Sequence, residues 1–281
     1  MDKAQYKSGQ RKDWDSVSLG WRKWWQTIEQ GAQAVSDEML DLALVKQGDS
    51  ILDVATGIGE PAVSAAKRVG ENGQVIATDL SPQMLAIAQE RAGNLGLENI
   101  QFREADAEVL DVGKTDFDAV LCRWGLMFMP EPLTALKNMH RVLNKGGRLA
   151  AAVWSTPPTV PMLSISMGVV GRELKLTPPP PDAPGIFSMA NTEKLETLFS
   201  AAGFNDISIK TVSANMSFPS SRDYVGFLQE VASPIVSLLS GETEERRNEI
   251  WQMIEQASGE YTNKAGQMVT ENEAICIVGT A

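Results

Sequence analysis

The chain has 281 residues, of which 43% are apolar and 22% charged, a composition typical of a globular protein with a substantial core. No apolar run reaches the length of a membrane span, and the polar start predicts a cytoplasmic protein without a signal segment. A formal net charge of −11, spread along the chain, would repel nucleic acid over most of the surface.

The first 45 residues precede the first predicted strand and are rich in tryptophan. Trp21, Trp24 and Trp25 are spaced so that their rings share one side of a helix. From the residues alone, this side predicts a helix that docks on the core. Four basic residues nearby are interpreted as a solvated helix face: Arg11, Lys12, Arg22 and Lys23.

From Ser50 onward, apolar runs alternate with amphipathic stretches, which is the pattern of a parallel sheet with crossover helices. Ser81-Pro82 marks a helix start, Gly146-Gly147 is predicted to stop a helix, and Gly203 another. The prediction is an α/β fold with a seven-stranded, mostly parallel, doubly wound sheet. Its strands are predicted at 50–55, 74–78, 99–104, 117–122, 148–154, 205–211 and 273–279.

Two stretches fall outside the sheet repeat. Prolines between residues 156 and 187 prevent a continuous helix there, while helical patterning at 221–239 and 243–258 predicts a helical cap. The predicted organisation is an N-terminal helical segment (1–45), a cofactor-binding core (46–155), an insertion (156–190), more core (191–212), a helical cap (213–270) and the last core strand (271–281).

The densest chemical pattern is a strand, a glycine loop and a helix start at residues 51–61. Gly57 and Gly59 let the backbone approach a ligand closely. The run 57–62 fits the dinucleotide-binding pattern, and Asp79 follows Gly59 by twenty positions, as that pattern requires. The loop alone therefore leaves two cofactor classes open.

Further motifs follow at the next strand ends. Asp53 stands four positions before Gly57, Thr78–Leu85 follows the second strand, Glu104–Ala107 the third, and Cys122–Pro130 the fourth. In this order the motifs resemble the class I S-adenosylmethionine-dependent methyltransferases, particularly their ubiquinone/menaquinone-biosynthesis-like branch, over about residues 15–155. The resemblance implies a Rossmann-like methyltransferase fold and S-adenosyl-L-methionine as the cofactor.

The resemblance also implies residue roles. Asp53 would hold the methionine ammonium, Asp79 the ribose hydroxyls, and Asp106 the adenine amino group. The N-terminal helix would form a lid over the cofactor. The predicted cofactor residues are Asp53, Ala55, Gly57, Gly59, Asp79, Leu80, Met84, Asp106, Ala107, Arg123 and Trp124. The predicted lid and acceptor residues are Trp21, Trp24, Trp25, Met127, Phe187 and Phe227.

His140 is the only histidine, and its place inside a helix predicts a structural role. Oxygen methylation commonly benefits from a positioned base, and histidine is the usual one near neutral pH. Because no histidine is predicted at the site, a neutral amine or an electron-rich carbon is favoured as the acceptor. The candidate bases in the cap are Glu230, Tyr224 and Tyr261. The two cysteines have no metal-ligand spacing, and no metal is predicted.

The leading hypothesis is methyl transfer to a small, apolar or aromatic metabolite of secondary or quinone-type metabolism. N- or C-methylation is favoured over O-methylation, with in-line positioning as the main catalytic factor. The alternatives are an NAD(P)-dependent oxidoreductase and an S-adenosylmethionine-binding protein without transfer activity. We expect a small-molecule partner and no nucleic acid, and either a monomer or a homodimer fits.

Overall fold

The computed structural model describes residues 2–180 and 182–281. Its N-terminal part is one 40-residue helix, α1 (Lys3–Leu42). The side chain of Asp2 caps this helix by accepting from the backbone N–H groups of Ala4 and Gln5, and no proline interrupts it. A helix of this length extends about 60 Å, which is enough to contact several parts of the molecule.

Strands and helices alternate after α1, as the pattern of the chain predicts. The elements up to β6 are β1 (Ser50–Val54), α2 (Ala62–Val69), β2 (Gln74–Asp79), α3 (Pro82–Asn94), β3 (Ile100–Glu104), β4 (Phe117–Arg123), α4 (Pro132–Val142), β5 (Leu143–Trp154), α5 (Pro161–Glu173), α6 (Thr192–Ala202) and β6 (Asn205–Ser213). They are followed by β7 (Met216–Phe218), α7 (Ser221–Val231), α8 (Ser233–Leu239), α9 (Glu244–Ser258), β8 (Met268–Thr270) and β9 (Glu273–Thr280).

Seven strands form one sheet in the order β3-β2-β1-β4-β5-β9-β6, and β9 runs antiparallel to both of its neighbours. The predicted fold class is therefore confirmed. The strand order reverses between β1 and β4, where Asp53 lies in register with Ala77 of β2 and Leu121 of β4. In open α/β sheets, ligands bind outside the carboxyl ends of the strands at such a reversal.

Two helix boundaries and one pair of strands differ from the sequence prediction. The helix before β5 ends at Val142 rather than at Gly146-Gly147, because Leu143 already pairs with Phe117 of β4. The helix predicted over 221–239 is two helices that meet at Ala232, since a proline at position 234 cannot donate a backbone hydrogen bond. The pair β7–β8 was not predicted; its strands have only three residues each.

The elements α5, α7, α8, α9 and the β7–β8 ribbon form a cap above the carboxyl ends of the strands. The backbone of α1 lies directly against this cap at two glycines. A Cβ atom on Gly20 would lie 2.0 Å from the carbonyl oxygen of Glu230, and one on Gly31 would lie 2.2 Å from the sulfur of Met216. The middle of α1 is therefore held against α7 and β7.

The C-terminal part of α1 packs on the sheet instead. Val35, Met39 and Leu40 are buried in the main hydrophobic core together with the strand residues. Residues 3–19, which we call the lid segment, lie outside that core and cross the carboxyl ends of the strands. Within residues 2–180 and 182–281, no helix is long and apolar enough to cross a membrane.

Candidate cofactor and acceptor site

A cavity of about 350 Å³ lies at the carboxyl ends of β1, β2, β3 and β4. The loops after these strands form one wall. The lid segment, the middle of α1 and the helices α5, α7 and α8 form the other. The cavity is thus enclosed between the sheet edge and the cap, where the strand order reverses.

The loop after β1 is shaped to leave space for a ligand. Gly57 has φ of +56° and lines the cavity, and a Cβ atom there would meet no other atom within 4 Å. Gly59 has φ of +103°, but its Cβ atom would lie 3.2 Å from that of Ala88, and it does not line the cavity. The first glycine therefore keeps the cavity open, and the second lets α3 pack closely. Ala55 also lines the cavity, with φ of +59°.

Asp53 lies fully buried behind this loop. Its Oδ2 atom accepts a hydrogen bond of 2.9 Å from the backbone N–H of Ala62, whereas its Oδ1 atom has no partner in the described part of the chain. Burial raises the pKa of this carboxyl group to about 7, and the nearby Thr56 side chain, the Arg123 charge and the Ala62 hydrogen bond offset only part of that effect. A carboxylate with a free buried oxygen fits a cationic ammonium. Asp53 does not line the cavity, so its contact would pass through an intervening group.

Asp79 lines the cavity at the end of β2. Its two carboxylate oxygens accept hydrogen bonds from the backbone N–H groups of Gly57, at 2.8 Å, and Ser81, at 2.9 Å. These bonds fix the carboxylate beside Leu80 and Met84, which also line the cavity. Each carboxylate oxygen can accept a further bond, so the arrangement suits a pair of neighbouring hydroxyl groups.

Asp106 and Ala107 line the cavity after β3. The Oδ1 atom of Asp106 accepts from the backbone N–H of Glu108 at 2.9 Å, and its Oδ2 atom accepts from the ammonium of Lys7 at 2.6 Å. The backbone N–H of Ala107 donates to no protein group among the described residues. A free backbone donor beside a carboxylate fits the edge of an adenine ring, which offers a ring-nitrogen acceptor beside an amino donor.

Arg123 and Trp124 come from the end of β4 and the loop after it. Arg123 lines the cavity, but its guanidinium donates to both carboxylate oxygens of Glu29, at 3.0 and 3.2 Å, and to Ser36. This buried ion pair holds α1 on the sheet. The structure therefore does not support the prediction that the Arg123 guanidinium binds the cofactor directly. Trp124 stacks on Trp154 with ring centroids 4.3 Å apart.

The cap side of the cavity is apolar and adjoins Met127 and Phe227, two of the predicted acceptor residues. Trp21 lines it as well. Trp24 packs instead against Phe227 and donates to Glu230, and Trp25 lies under the guanidinium of Arg91. Neither of these tryptophans reaches the cavity, and Phe187 packs against the main core without lining it.

None of the three candidate bases lines the cavity. The hydroxyl of Tyr224 is fully buried and donates to the carbonyl oxygen of Met162, and burial raises the pKa of this side chain. Glu230 accepts from Lys23 and Trp24 on the outer side of α1. Tyr261 is 36% exposed at the far end of α9. The structure therefore gives no support to a catalytic role for them.

The polar part of the lid segment was not predicted from the sequence. Tyr6, Lys7 and Gln10 line the cavity, as does Trp14. The missed signal was the spacing of basic residues at every fourth position of α1. The interpretation of Arg11 and Arg22 as a solvated face was incomplete, because they pair with Glu104 and Glu90.

His140 and the two cysteines do not line the cavity. His140 contacts the ring of Phe204 edge-on at 4.9 Å, behind the sheet edge. Cys122 and Cys276 are buried free thiols, and burial raises the pKa of each to about 12. Within the described residues, no three Asp, Glu, His or Cys side chains form a group that could hold a metal ion.

The seven-stranded sheet with the antiparallel strand β9 between β5 and β6 is the fold of the class I S-adenosylmethionine-dependent methyltransferases, and a match to a family model places the chain in this class. The chain belongs to the ubiE/COQ5 methyltransferase family, whose model matches residues 15–169, more than half of its length. The family resemblance seen in the sequence is thereby confirmed. Of the two cofactor classes that the glycine loop permits, membership of this family selects S-adenosylmethionine.

Individual proteins extend this comparison. A ubiquinone/menaquinone biosynthesis C-methyltransferase of Coxiella burnetii is 32% identical over 152 residues, which cover 54% of this chain and 57% of that protein. The chain thus spans little more than half of that relative. A structure of a proposed methyltransferase from Bacillus halodurans has a TM-score of 0.57 at 20% identity, covering 87% and 97% of the two chains.

A second structure has the same fold and contains a bound ligand. It is phosphoethanolamine N-methyltransferase 2 of Haemonchus contortus in complex with S-adenosyl-L-methionine, with a TM-score of 0.54 at 18% identity, covering 90% of this chain and 52% of that one. At these identities the two structures establish the fold and nothing finer.

Proposed function

We propose that this protein transfers a methyl group from S-adenosylmethionine to an electron-rich carbon atom of a small, largely apolar aromatic metabolite. The observation that carries the proposal is the chemical character of the cap side of the cavity. Of the described cap residues that line it, only Ser166 is polar, and its hydroxyl donates to the carbonyl of Leu163. The others are apolar: Met162, Leu163, Met167, Val170, Leu176, Ile186, Met216, Phe227, Leu228, Val231, Ala232, Pro234, Ile235 and Leu238.

The charged side chains of the cavity are segregated from this apolar wall. They belong to the lid segment or to the loops and strand ends of the sheet edge. An apolar acceptor gains about 25 cal/mol for each Å² that it buries against the cap, whereas a charged acceptor would lose its hydration without an ionic partner. The division favours a charged, nucleoside-containing donor on the sheet side and an apolar acceptor on the cap side.

The cofactor seat that we propose follows the geometry of the sheet edge. Asp53 would face the methionine ammonium through an intervening group, Asp79 the ribose hydroxyls, and Asp106 with the Ala107 amide the adenine edge. Gly57 leaves the space in which the ligand passes the loop. The stacked rings of Trp124 and Trp154 would form the boundary between the donor and acceptor sides.

The chemistry then depends mainly on positioning. The bound cofactor supplies an activated methyl group, so the protein needs to hold the acceptor atom in line with it and to exclude water. Such alignment can account for about 7–11 kcal/mol of the barrier. Within the described part of the chain, the cap contributes no carboxylate or imidazole to the cavity. An acceptor atom that is already nucleophilic, such as an activated ring carbon, therefore fits better than a hydroxyl that must lose its proton.

The relatives support this choice in part. The Coxiella burnetii protein is named for C-methylation in ubiquinone and menaquinone biosynthesis. The family match ends at residue 169, before most of the cap. We therefore take the carbon chemistry from the comparison and the cavity together, and the apolar, aromatic character of the acceptor from the cap of this chain.

The test uses the purified protein with methyl-labelled S-adenosylmethionine and a panel of acceptors: hydroquinones with and without alkyl chains, matching phenols, and matching anilines. We expect label on a ring carbon of an alkylated hydroquinone, located by mass spectrometry and NMR, and loss of transfer in Asp79→Ala. Label found on oxygen or nitrogen would overturn the carbon assignment.

Calorimetric titration separates the two earlier alternatives. Binding of S-adenosylhomocysteine without NADH binding is the expected result, and the reverse result would favour an oxidoreductase. Binding of S-adenosylhomocysteine without transfer to any member of the panel or of a metabolite extract would favour a cofactor-binding protein without transfer activity.

A further inference from the structure

The lid segment crosses the sheet edge on a series of ion pairs. Lys3, Lys7 and Arg11 stand at every fourth position of α1 and therefore lie along one face of the helix. Lys3 pairs with Glu131 at 2.5 Å and Arg11 with Glu104 at 2.6 Å. Lys7 differs from the other two because it also lines the cavity.

The ammonium of Lys7 bridges two carboxylates at the adenine end of the proposed cofactor seat. It lies 2.6 Å from Oδ2 of Asp106 and 2.5 Å from Oε2 of Glu108. The side chains of Lys7 and Glu108 are 22% and 7% exposed, whereas those of Lys3 and Glu131 are 56% and 42% exposed. Partly buried ion pairs are screened less by water and salt, so the Lys7 cluster is screened less than the Lys3 pair.

The remaining hydrogen-bonding capacity of this cluster matches a purine. An ammonium has three donors, of which Lys7 uses two, and each oxygen of the Asp106 carboxylate can accept about two bonds, of which one is used. The carboxylate therefore keeps acceptor capacity for an amino group while Lys7 and the Glu108 amide hold both of its oxygens. The free N–H of Ala107 lies next in the chain.

We propose that Lys7 is a positioning residue for cofactor selection: it fixes the Asp106 carboxylate so that this group accepts from an amino group on the purine ring and disfavours a carbonyl oxygen at the same place. The proposal rests on the cofactor seat described above. Through Lys7, the lid segment and the purine ring share one carboxylate, so the closed lid becomes part of the recognition of the base.

Two ligands that differ only at this edge test the proposal. S-adenosylhomocysteine presents the amino group and an unprotonated ring nitrogen, whereas S-inosylhomocysteine presents a carbonyl oxygen and a ring N–H. We would titrate both into the wild-type protein, Lys7→Met, Lys7→Arg and Lys3→Met. Lys3→Met is the matched control, because it removes an ion pair of the same lid segment that does not reach the cavity.

We expect the wild-type protein to prefer the adenosyl ligand, and Lys7→Met to lose roughly tenfold of that preference, the scale of one lost charge-assisted hydrogen bond. Lys7→Arg should recover most of it, and Lys3→Met should change the affinities for both ligands by the same factor. An unchanged preference in Lys7→Met, even with weaker binding of both ligands, would reduce Lys7 to a structural contact and overturn the proposal.

Failure of the proposed function and failure of the proposed role of Lys7 give different results. A wild-type protein that binds neither ligand contradicts the proposed function itself, and the role of Lys7 with it. A wild-type protein that binds S-adenosylhomocysteine, with Lys7→Met retaining the full preference, contradicts only the role of Lys7.

Discussion

Asp53 shows how a single residue can be costly to the fold and useful to the site. It is fully buried at the end of β1, one of its oxygens has no partner among the described residues, and its pKa is raised to about 7. A group in this state is half protonated near neutral pH, and a nearby positive charge favours its ionised form. In the cofactor seat proposed above, cofactor binding and proton release would therefore be linked at this residue.

We predict that the affinity for S-adenosylhomocysteine rises with pH up to about 7 and then levels off. The ammonium of the ligand favours ionised Asp53, so below the pKa of about 7 part of the binding free energy is used to remove a proton. Calorimetric titrations between pH 5.5 and pH 8.5, which bracket that value, would measure the effect. An affinity that stays constant across this range would contradict the linkage.

Asp53→Asn serves as the control and gives a second prediction. The pKa is raised from 3.8 to about 7, so the stabilisation from protonated Asp53 is lost as pH rises through the folded value. The cofactor-free variant should therefore be more stable than wild type at pH 8, with the difference shrinking as pH falls from about 7 to about 4. Its ligand affinity should be weaker and nearly independent of pH. Thermal unfolding at several pH values measures the first effect, and greater stability of wild type at pH 8 would refute it.

Tyr224 was a candidate base, and its environment indicates a structural role. Its hydroxyl, fully buried, donates to the carbonyl of Met162, the residue whose backbone N–H is bound by Asn272. Tyr224→Phe should lower the free energy of unfolding by about 1 kcal/mol, the usual net value of such a bond, and leave the pH dependence of transfer unchanged. Denaturant unfolding and pH–rate profiles measure the two effects. A shifted profile would restore Tyr224 as a proton acceptor.

At the scale of elements, α1 is the part of the fold that joins the two walls of the cavity. Gly20 allows its backbone to touch α7, and the buried pair of Arg123 and Glu29 holds it on the sheet. Since α1 is fixed at its middle and in its C-terminal half, we expect any opening of this helix to occur in the lid segment, which is held mainly by ion pairs and ends at Gly20.

We predict that Gly20→Ala destabilises the protein by about 1–3 kcal/mol, because the new methyl group would overlap the Glu230 carbonyl and push α1 from α7. Gly9→Ala is the matched control in the same helix. Its methyl group would meet no atom within 4 Å, so the better helix propensity of alanine should stabilise by up to about 1 kcal/mol. Thermal unfolding of both variants decides the matter, and equal melting temperatures would argue against close docking at Gly20.

The sequence predicted the core elements because each has its own local signal. Gly203, with φ of +104°, ends α6 as predicted, and Ser81 caps α3 through a bond to the Met84 amide. The β7–β8 ribbon has no such signal, because its three-residue strands pair across about fifty residues of chain. The contacts of the lid segment were not predicted for a similar reason. The partners of Lys7 lie about a hundred positions away, and the spacing of residues along one helix does not show which residues that helix faces.

At the scale of the whole molecule, the cofactor edge and the cap are mechanically connected through α1. We predict that S-adenosylhomocysteine slows amide hydrogen exchange in the lid segment and, to a lesser degree, in α7 and α8. The reason is that ordering the lid segment also restricts the helix that packs on the cap. Exchange followed by mass spectrometry, with and without ligand, tests this. Protection confined to the loops after β1, β2 and β3 would show that donor binding does not reach the cap.

The two walls of the cavity are encoded by different lengths of chain. The donor wall comes from the first half, within the stretch shared with the family, while most of the acceptor wall lies after residue 169. From the proposed function, we therefore expect a substitution in the cap to alter acceptor preference without disturbing the seat of the methyl donor. Natural selection and laboratory evolution can therefore change which metabolite is modified by acting on the second half of the gene alone, and libraries confined to the cap codons should retain donor binding in most of their members.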